Sequence, residues 1–561
     1  MNEEIDLEEL APWLVIVITL AGGFLRGLLL ADKGMWLDET FSVWLANQSV
    51  PELLHWLVKI DQHPPLYYLL LHYWLALTGD TPYYARLLSV LFGLGTIPLI
   101  YLIGRRLAGD LVGLAAAVIL ALSPFHIYFA QETRMYTLLA FNAAAALYAL
   151  VRLLTDARSR EPIGRRFWDF LRAGRMPGPS EPAAQAERTL GALAQAPGGP
   201  QAGGLRRRGL FIAAIETDLA WIAFGVFSAA TMLSHNTAIF FPLAANVFVL
   251  GLMLYQKLVP SAAQPAFHAP SFGNWAKVQI GIAVLWSPWA GAFVQQARAV
   301  SQRFWIPQPD WDGVLQVLRS FLNASAPLPA GLALAIWLLY GLVLCLGLAY
   351  FRKRAAAVLL LAALFATPFL GELLVSVYRP VFLGRTLIWA TLPLFLLLAA
   401  GVAQFKFRYL IIVVLGTLSA LNLFAVSDYY RFFQKEDWST AAGFVALFAE
   451  KDDLVLFNSN FAEIPFDYYF ETYETHYDIQ VVKQGVPLDL FASGVPEPPM
   501  TPGDVPGLVA LLTGHKRVWL VYSHASYTDP LGLIPQVLAA HKTLMRTRDF
   551  YGGQVQLYGT P

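Results

Sequence analysis

The sequence predicts an all-α polytopic membrane protein of about eleven transmembrane helices with a small C-terminal extracytoplasmic α/β domain. Hydrophobic residues fill 57% of the 561 positions and charged residues only 14%, with a mean hydropathy of +0.51, a balance outside the range of soluble domains. Eleven mostly uncharged runs of about 17 to 23 residues are each long enough to cross a hydrocarbon core roughly 30 Å thick as a helix. From about position 427 the pattern changes to short strand-like runs, LVLF, IQVV, RVWLVYS and QVQLY, between helical stretches and Pro/Gly turns.

The first run, 12–30, follows the acidic start MNEEIDLEEL, where a secretory leader would be basic, so it reads as an uncleaved anchor. The remaining runs cover 87–103, 111–130, 135–154, 217–234, 238–255, 278–294, 328–350, 355–377, 387–403 and 410–426. Segment 64–77, PPLYYLLLHYWLAL, is apolar but short. It reads as an interfacial or re-entrant helix opened by prolines, with Tyr67, Tyr68, Tyr73 and Trp74 suited to the headgroup region. With that segment left out of the count, Arg105, Arg106, Arg206 to Arg208, Arg352 to Arg354, Lys406 and Arg408 all fall on one side. By the positive-inside rule that side is the cytoplasm. Loops 31–86, 131–134, 235–237, 295–327 and 378–386, and everything after 426, then face outward. Segment 155–210, rich in Pro, Gly, Ala and Arg with little to bury, is expected to be a disordered cytoplasmic linker.

Thirty-nine basic and 39 acidic residues balance to zero, which gives no electrostatic footprint for nucleic acid. The single cysteine, Cys345, excludes an intrachain disulfide and reads as a buried small hydrophobe.

The polar residues of the outward loops are the candidate chemistry. Asp38 and Glu39 follow the first span in WLDET; Asp38 there also fits an N-cap for a short amphipathic helix carrying Phe41, Trp44 and Leu45. With Trp36, the aromatics Phe41 and Trp44 would hold this loop against the bilayer. His63 begins HPPLYY, and QETRMY at 131–136 adds Glu132, Arg134 and Tyr136. MLSHNTA adds His235, and VYRPVFLGRTLIW adds Arg379 and Arg385. Arginine forks suit phosphate oxygens. A carboxylate that takes a proton from an acceptor hydroxyl, beside arginines that stabilise a departing phosphate, would combine general-base and electrostatic catalysis.

The segments WLDET, HPPLYYLLLHYWLALTG, ARLLSVLFGLGTIPLIYLIGRRL, SPFHIYFAQETRMY and GRTLIWATLPLFLLLAAG, in that order, resemble the GT-C fold membrane glycosyltransferases. The nearest branch is the bacterial protein O-mannosyltransferase and aminoarabinose transferase-like family. The resemblance implies inverting transfer of a sugar from a polyprenyl-phosphate donor to a protein, lipid or polysaccharide acceptor outside the cytoplasm, in a plasma membrane. It implies catalytic roles for Asp38, the preferred base, with Glu39 and Glu132. It also places His63 beside the donor and Arg385 against the lipid-linked phosphate; Arg134, Tyr136, His235 and Arg379, from the same outward loops, are the further candidates for donor-phosphate or substrate binding. Neither loop holds an Asp-x-Asp pair, so no catalytic metal and no cofactor are expected. The chain would divide into an N-terminal catalytic half of the transmembrane module (1–154), the linker (155–210), the C-terminal transmembrane half (211–426) and the outer domain (427–561). The competing reading is a secondary transporter or lipid flippase using Glu216, Asp218 and Glu372. A scaffold presenting its C-terminal domain leaves the polar loops unexplained.

Overall fold

The computed structural model describes residues 7–160, 163, 200–259, 267–299, 306, 308–323 and 330–560. Most of the expected linker, 155–210, lies outside the described residues. The first half runs α1 (Leu7–Gly27), α2 (Leu37–Ala46), α3 (Val50–Ile60), α4 (Leu66–Thr78), α5 (Pro82–Ala108), α6 (Asp110–Ala121), α7 (Pro124–Ala130) and α8 (Tyr136–Thr155).

Ten described helices are long and apolar enough to cross a membrane. An eleventh crossing is made if α6 and α7, bent by 57° at their junction, count as one. The sequence predicts one span over 111–130. It breaks at Ser123-Pro124 because proline lacks the N–H that would continue α6, while Ser123 Oγ caps α7 by accepting from the His126 amide.

Span Gly384–Ala403 and α8 are buried almost throughout, whereas α1 turns Trp13, Val17, Leu20 and Phe24 outward. Small residues let the central helices approach closely. A Cβ on Gly347 would strike the Leu397 carbonyl of the neighbouring span, and one on Gly401 the Val343 carbonyl. The two ends of the bundle differ. At one, Arg354 donates to the Leu107 carbonyl (2.6 Å) and Arg106 to Thr155 Oγ1 (2.7 Å). The other carries α2, α3, α4 and the C-terminal domain.

The last span extends to Phe432, six residues beyond the predicted end. The domain that follows has a five-stranded sheet, β1 (Asp453–Phe457), β2 (Val481–Gly485), β3 (Arg517–Ser523), β4 (Thr543–Phe550) and β5 (Gly553–Gly559), in the order β2-β1-β3-β5-β4. β1 pairs parallel with β2 and β3; β5 pairs antiparallel with β3 and β4. Alternation along β1 builds two cores: Val455 and Phe457 face Trp438, Phe466 and Trp519, and Leu454 and Leu456 face Leu520, Ile534 and Leu538. The four predicted runs fall on β1, β2, β3 and β5. β4 escaped notice because it is an edge strand exposing every residue but Phe550, and its Arg546 and Arg548 suit an edge that must resist pairing.

Three expectations are corrected. Tyr67 and Tyr68 are fully buried under the end cap, since their hydroxyls meet Ser89 and Asp61. Phe41 and Trp44 pack on Phe461 and Phe491 of the C-terminal domain, at 5.6 and 5.5 Å between ring centroids, where the sequence placed them against the bilayer. Cys345 is exposed on the flank of span Ala330–Tyr350, an outward position that an apolar run permits wherever lipid is the solvent.

Candidate active site

Helix α2 begins at Leu37 with Trp36 at its N-cap, so Asp38 and Glu39 occupy the first turn, where the helix end favours negative charge. The N-cap role read for Asp38 therefore belongs to Trp36, which has no capping side-chain bond. Successive helical residues point about 100° apart, and the two acids part company.

Glu39 is fully buried. Arg86 of α5 grips it with two parallel bonds of 2.8 Å, Lys435 donates at 2.8 Å and the Thr133 amide at 2.9 Å. The remaining Arg86 hydrogens go to the carbonyls of Leu30, Lys33 and Gly34, each at 2.8 Å. Burial alone would raise the Glu39 carboxyl, but Arg86 and Lys435 outweigh it and hold it well below the usual carboxylate range. Glu39 thus ties α2 to α5, to the turn before α8 and to the connector after the last span.

Asp38 is the more open of the two. Its side chain is 23% exposed against none for Glu39, and Oδ2 lies 3.3 Å from Arg385 Nη1 and 4.0 Å from Arg134 Nε. Arg134, nearly buried, also donates to the Asp38 carbonyl (3.3 Å), Ser42 Oγ (3.3 Å) and the Tyr68 hydroxyl (3.1 Å). Tyr68 donates to Asp61 Oδ2 at 2.9 Å, and Asp61 Oδ1 lies 2.8 Å from His63 Nδ1. The His63 ring meets that of His235 at 5.2 Å, and the Arg385 guanidinium sits 5.8 Å from the Tyr136 ring centre. Burial would raise the Asp61 carboxyl; His63, Arg134 and the Gln62 amide reverse that and bring it down to about 2. Burial first, then the neighbouring His63, Arg385 and Arg134, push His235 well below its ordinary range, so it is neutral at pH 7.

Glu132 is fully buried, 3.7 Å from Lys435 Nζ. Burial pushes its carboxyl up against the opposing pull of Lys435. These contacts bring together Asp38, Glu39, His63, Glu132, Arg134, Tyr136, His235 and Arg385. None of them involves Arg379, which lies just beyond the end of span Ala355–Ser376. Glu372, read as a transport group, is fully buried and accepts from Thr386 Oγ1 at 2.7 Å. Sequence reasoning missed Asp61, Tyr68, Arg86 and Lys435. Arg86 carried the only strong signal, a charge opening a long apolar run. Among the described residues no group of three or more His, Cys, Asp and Glu converges as a metal site.

Residues 62–164 match the family model of dolichyl-phosphate-mannose-protein mannosyltransferases. No curated protein matches the chain in sequence. Among solved structures, ArnT from Cupriavidus metallidurans in the apo state is 12% identical, with 97% of each chain covered and a TM-score of 0.55. The same protein bound to undecaprenyl phosphate gives 14%, 97% of each chain and 0.50. The oligosaccharyltransferase AglB from Archaeoglobus fulgidus, in complex with an inhibitory peptide and a dolichol-phosphate, gives 10%, 97% of this chain, 74% of that one and 0.51.

The chain has the GT-C fold.

In this GT-C fold the segment matched by the family model begins beside His63 and includes Arg86, Glu132, Arg134 and Tyr136. Asp38, Arg385 and Lys435 lie outside it and reach the same cluster only through folding.

Proposed function

We propose that the protein is an integral-membrane glycosyltransferase that moves a sugar from a polyprenyl-phosphate donor to an acceptor hydroxyl on the extracytoplasmic side of the plasma membrane. The observation that carries this reading is the placement of Asp38, partly exposed at one end of a GT-C bundle, against Arg385 at 3.3 Å and Arg134 at 4.0 Å. Asp38 takes the proton of the acceptor hydroxyl, whose oxygen attacks the anomeric carbon as the bond to the phosphate oxygen breaks, so the configuration inverts. Arg385, and Arg134 behind it, stabilise the charge that grows on the departing polyprenyl phosphate. His63, His235 and Tyr136 complete the donor side. Glu39 acts as a positioning residue: its carboxylate is saturated by Arg86, Lys435 and the Thr133 amide, and it orients the first turn from which Asp38 projects. Glu132 supports the same network through Lys435.

The donor class is supported by the similar structures, ArnT bound to undecaprenyl phosphate and AglB in complex with a dolichol-phosphate. The orientation is supported by the charge of the opposite end, where Arg105, Arg106 and Arg354 gather. The test supplies purified protein in lipid nanodiscs with undecaprenyl-phosphate-linked sugars and a panel of hydroxylated acceptors. Release of undecaprenyl phosphate with a matching glycosylated product is the expected result; a donor left intact with every sugar and acceptor would overturn the reading.

A further inference from the structure

The loops at the carboxyl ends of parallel strands β1 and β3 reach the first turn of α2, where Asp38 sits, through Glu436. The chain leaves β1 toward β2 on one flank, and β3 continues on the other. Loops at the carboxyl ends of such diverging strands form the usual binding crevice of open α/β sheets. Asn458, just after β1, stitches the two loops: its amide donates to the Ser523 carbonyl (2.6 Å) and Thr528 Oγ1 (2.8 Å), and its oxygen accepts from the Ser523 amide (2.8 Å).

Two residues of this crevice hold a backbone conformation that side chains disfavour, His524 at φ +53° and Glu497 at φ +45°. Hydrogen bonds fix the second in place. Asn460 Oδ1 accepts from the Glu497 amide (2.8 Å), and the Glu497 carboxylate accepts from Ser459 Oγ (2.7 Å) and the Tyr527 hydroxyl (3.0 Å). His524 Nε2 meets Glu436 Oε1 at 3.1 Å, and Glu436 Oε2 accepts from the Leu37 amide at 3.2 Å, one residue before Asp38. Burial first, and Asp38 least, push the Glu497 carboxyl up, while against burial Glu436, then Glu497 and Asp38, raise His524.

Charge is therefore partitioned around Asp38. The transmembrane side presents Arg134 and Arg385. The C-terminal domain presents carboxylates, Glu436 and Glu497, with a histidine and a tyrosine. A phosphate belongs on the first side. On the second, an anionic group would meet the carboxylates of Asp38 and Glu497, with only His524, already paired to Glu436, as counter-charge, while hydroxyls can donate to them. Resting on the glycosyltransferase reading, we propose that His524, Glu497 and Tyr527 form the acceptor wall of the site and position a polyhydroxylated acceptor that carries no negative charge next to Asp38. They are positioning residues and leave the donor to the arginines.

The test uses the full chain in nanodiscs with an undecaprenyl-phosphate-linked sugar. A neutral alkyl glucoside and the matching anionic alkyl glucuronide serve as acceptor probes, and donor affinity is measured separately by titration. The wild type is expected to favour the glucoside over the glucuronide at least tenfold. Glu497→Gln and His524→Gln should raise KM for the glucoside at least tenfold while donor Kd stays within twofold. The milder Tyr527→Phe, which removes one hydroxyl, should give a smaller shift in the same direction. Unchanged acceptor KM in variants that still bind donor, or equal use of the two probes by the wild type, overturns the acceptor wall alone. A wild type that releases no undecaprenyl phosphate overturns the glycosyltransferase reading and this one with it.

Discussion

Lys435 and Glu39 lie 396 positions apart in sequence and meet at 2.8 Å inside the protein. Lys435 also donates to the Gln131 carbonyl at 3.2 Å and stands 3.7 Å from Glu132. One ammonium thus joins the connector after the last span to the first turn of α2 and to the turn before α8. Removing one partner of a buried ion pair leaves the other charged and unsolvated, at a cost of roughly 3–5 kcal/mol. Lys435→Met should lower the thermal midpoint of the detergent-solubilised protein accordingly. Glu39→Gln combined with it should cost less than the two single losses added together.

Asp38→Asn should reduce sugar transfer by about a hundredfold or more, the contribution expected of a general base, while donor Kd stays within about threefold. Steady-state kinetics and a donor titration check the two halves. Full turnover in this variant would remove Asp38 as the base.

Arg385→Ala should weaken donor binding by about 10- to 100-fold, the range for one or two hydrogen bonds to a charged group. Arg385→Lys should recover part of that loss, because it keeps the charge and gives up the fork. A donor titration that shows no change in Arg385→Ala would contradict its phosphate role.

Glu463, in the C-terminal domain, carries a carboxyl that burial raises to about 8, with Asp467 and Asp489 adding to the rise. Its folded value exceeds its unfolded value, so its contribution to stability is fully present below about 4.5 and is lost as pH rises toward 8, by at most about 1.4 kcal/mol per pH unit. Thermal midpoints measured from pH 5 to 8 should therefore fall less steeply for Glu463→Gln than for the wild type. Parallel curves would show that the Glu463 carboxyl does not titrate with folding.

Gly401→Ala puts a methyl group against the Val343 carbonyl in a contact with no free space. Overpacking of this kind costs about 1–3 kcal/mol, read as a lower thermal midpoint. An alanine at Gly416, whose added Cβ would meet nothing, serves as the control and should change little.

Much of the site was legible because its parts sit at loop positions that hydropathy alone delimits. WLDET, HPPLYY, QETRMY and GRTLIW each abut an apolar run, and they come together at one end of the bundle. The division of labour between Asp38 and Glu39 was not legible. Adjacent carboxylates carry the same local signal, and only the positions of Arg86 and Lys435 make one a saturated strut and leave the other partly open. Lys435 itself looked like an ordinary charge beyond a membrane span. Asp61 looked like a polar residue before a proline pair until Tyr68 and His63 closed around it.

The sequence by itself determined which segments are apolar enough to span, which alternate as strands and which chemical groups lie between them, since these follow from local composition and period. Tertiary structure alone decided which charges meet. Pairs such as Lys435 with Glu39, or Arg385 with Asp38 across 347 positions, depend on how helices pack and on what burial makes unavoidable. A charge removed from water must find its counterpart wherever in the chain it lies.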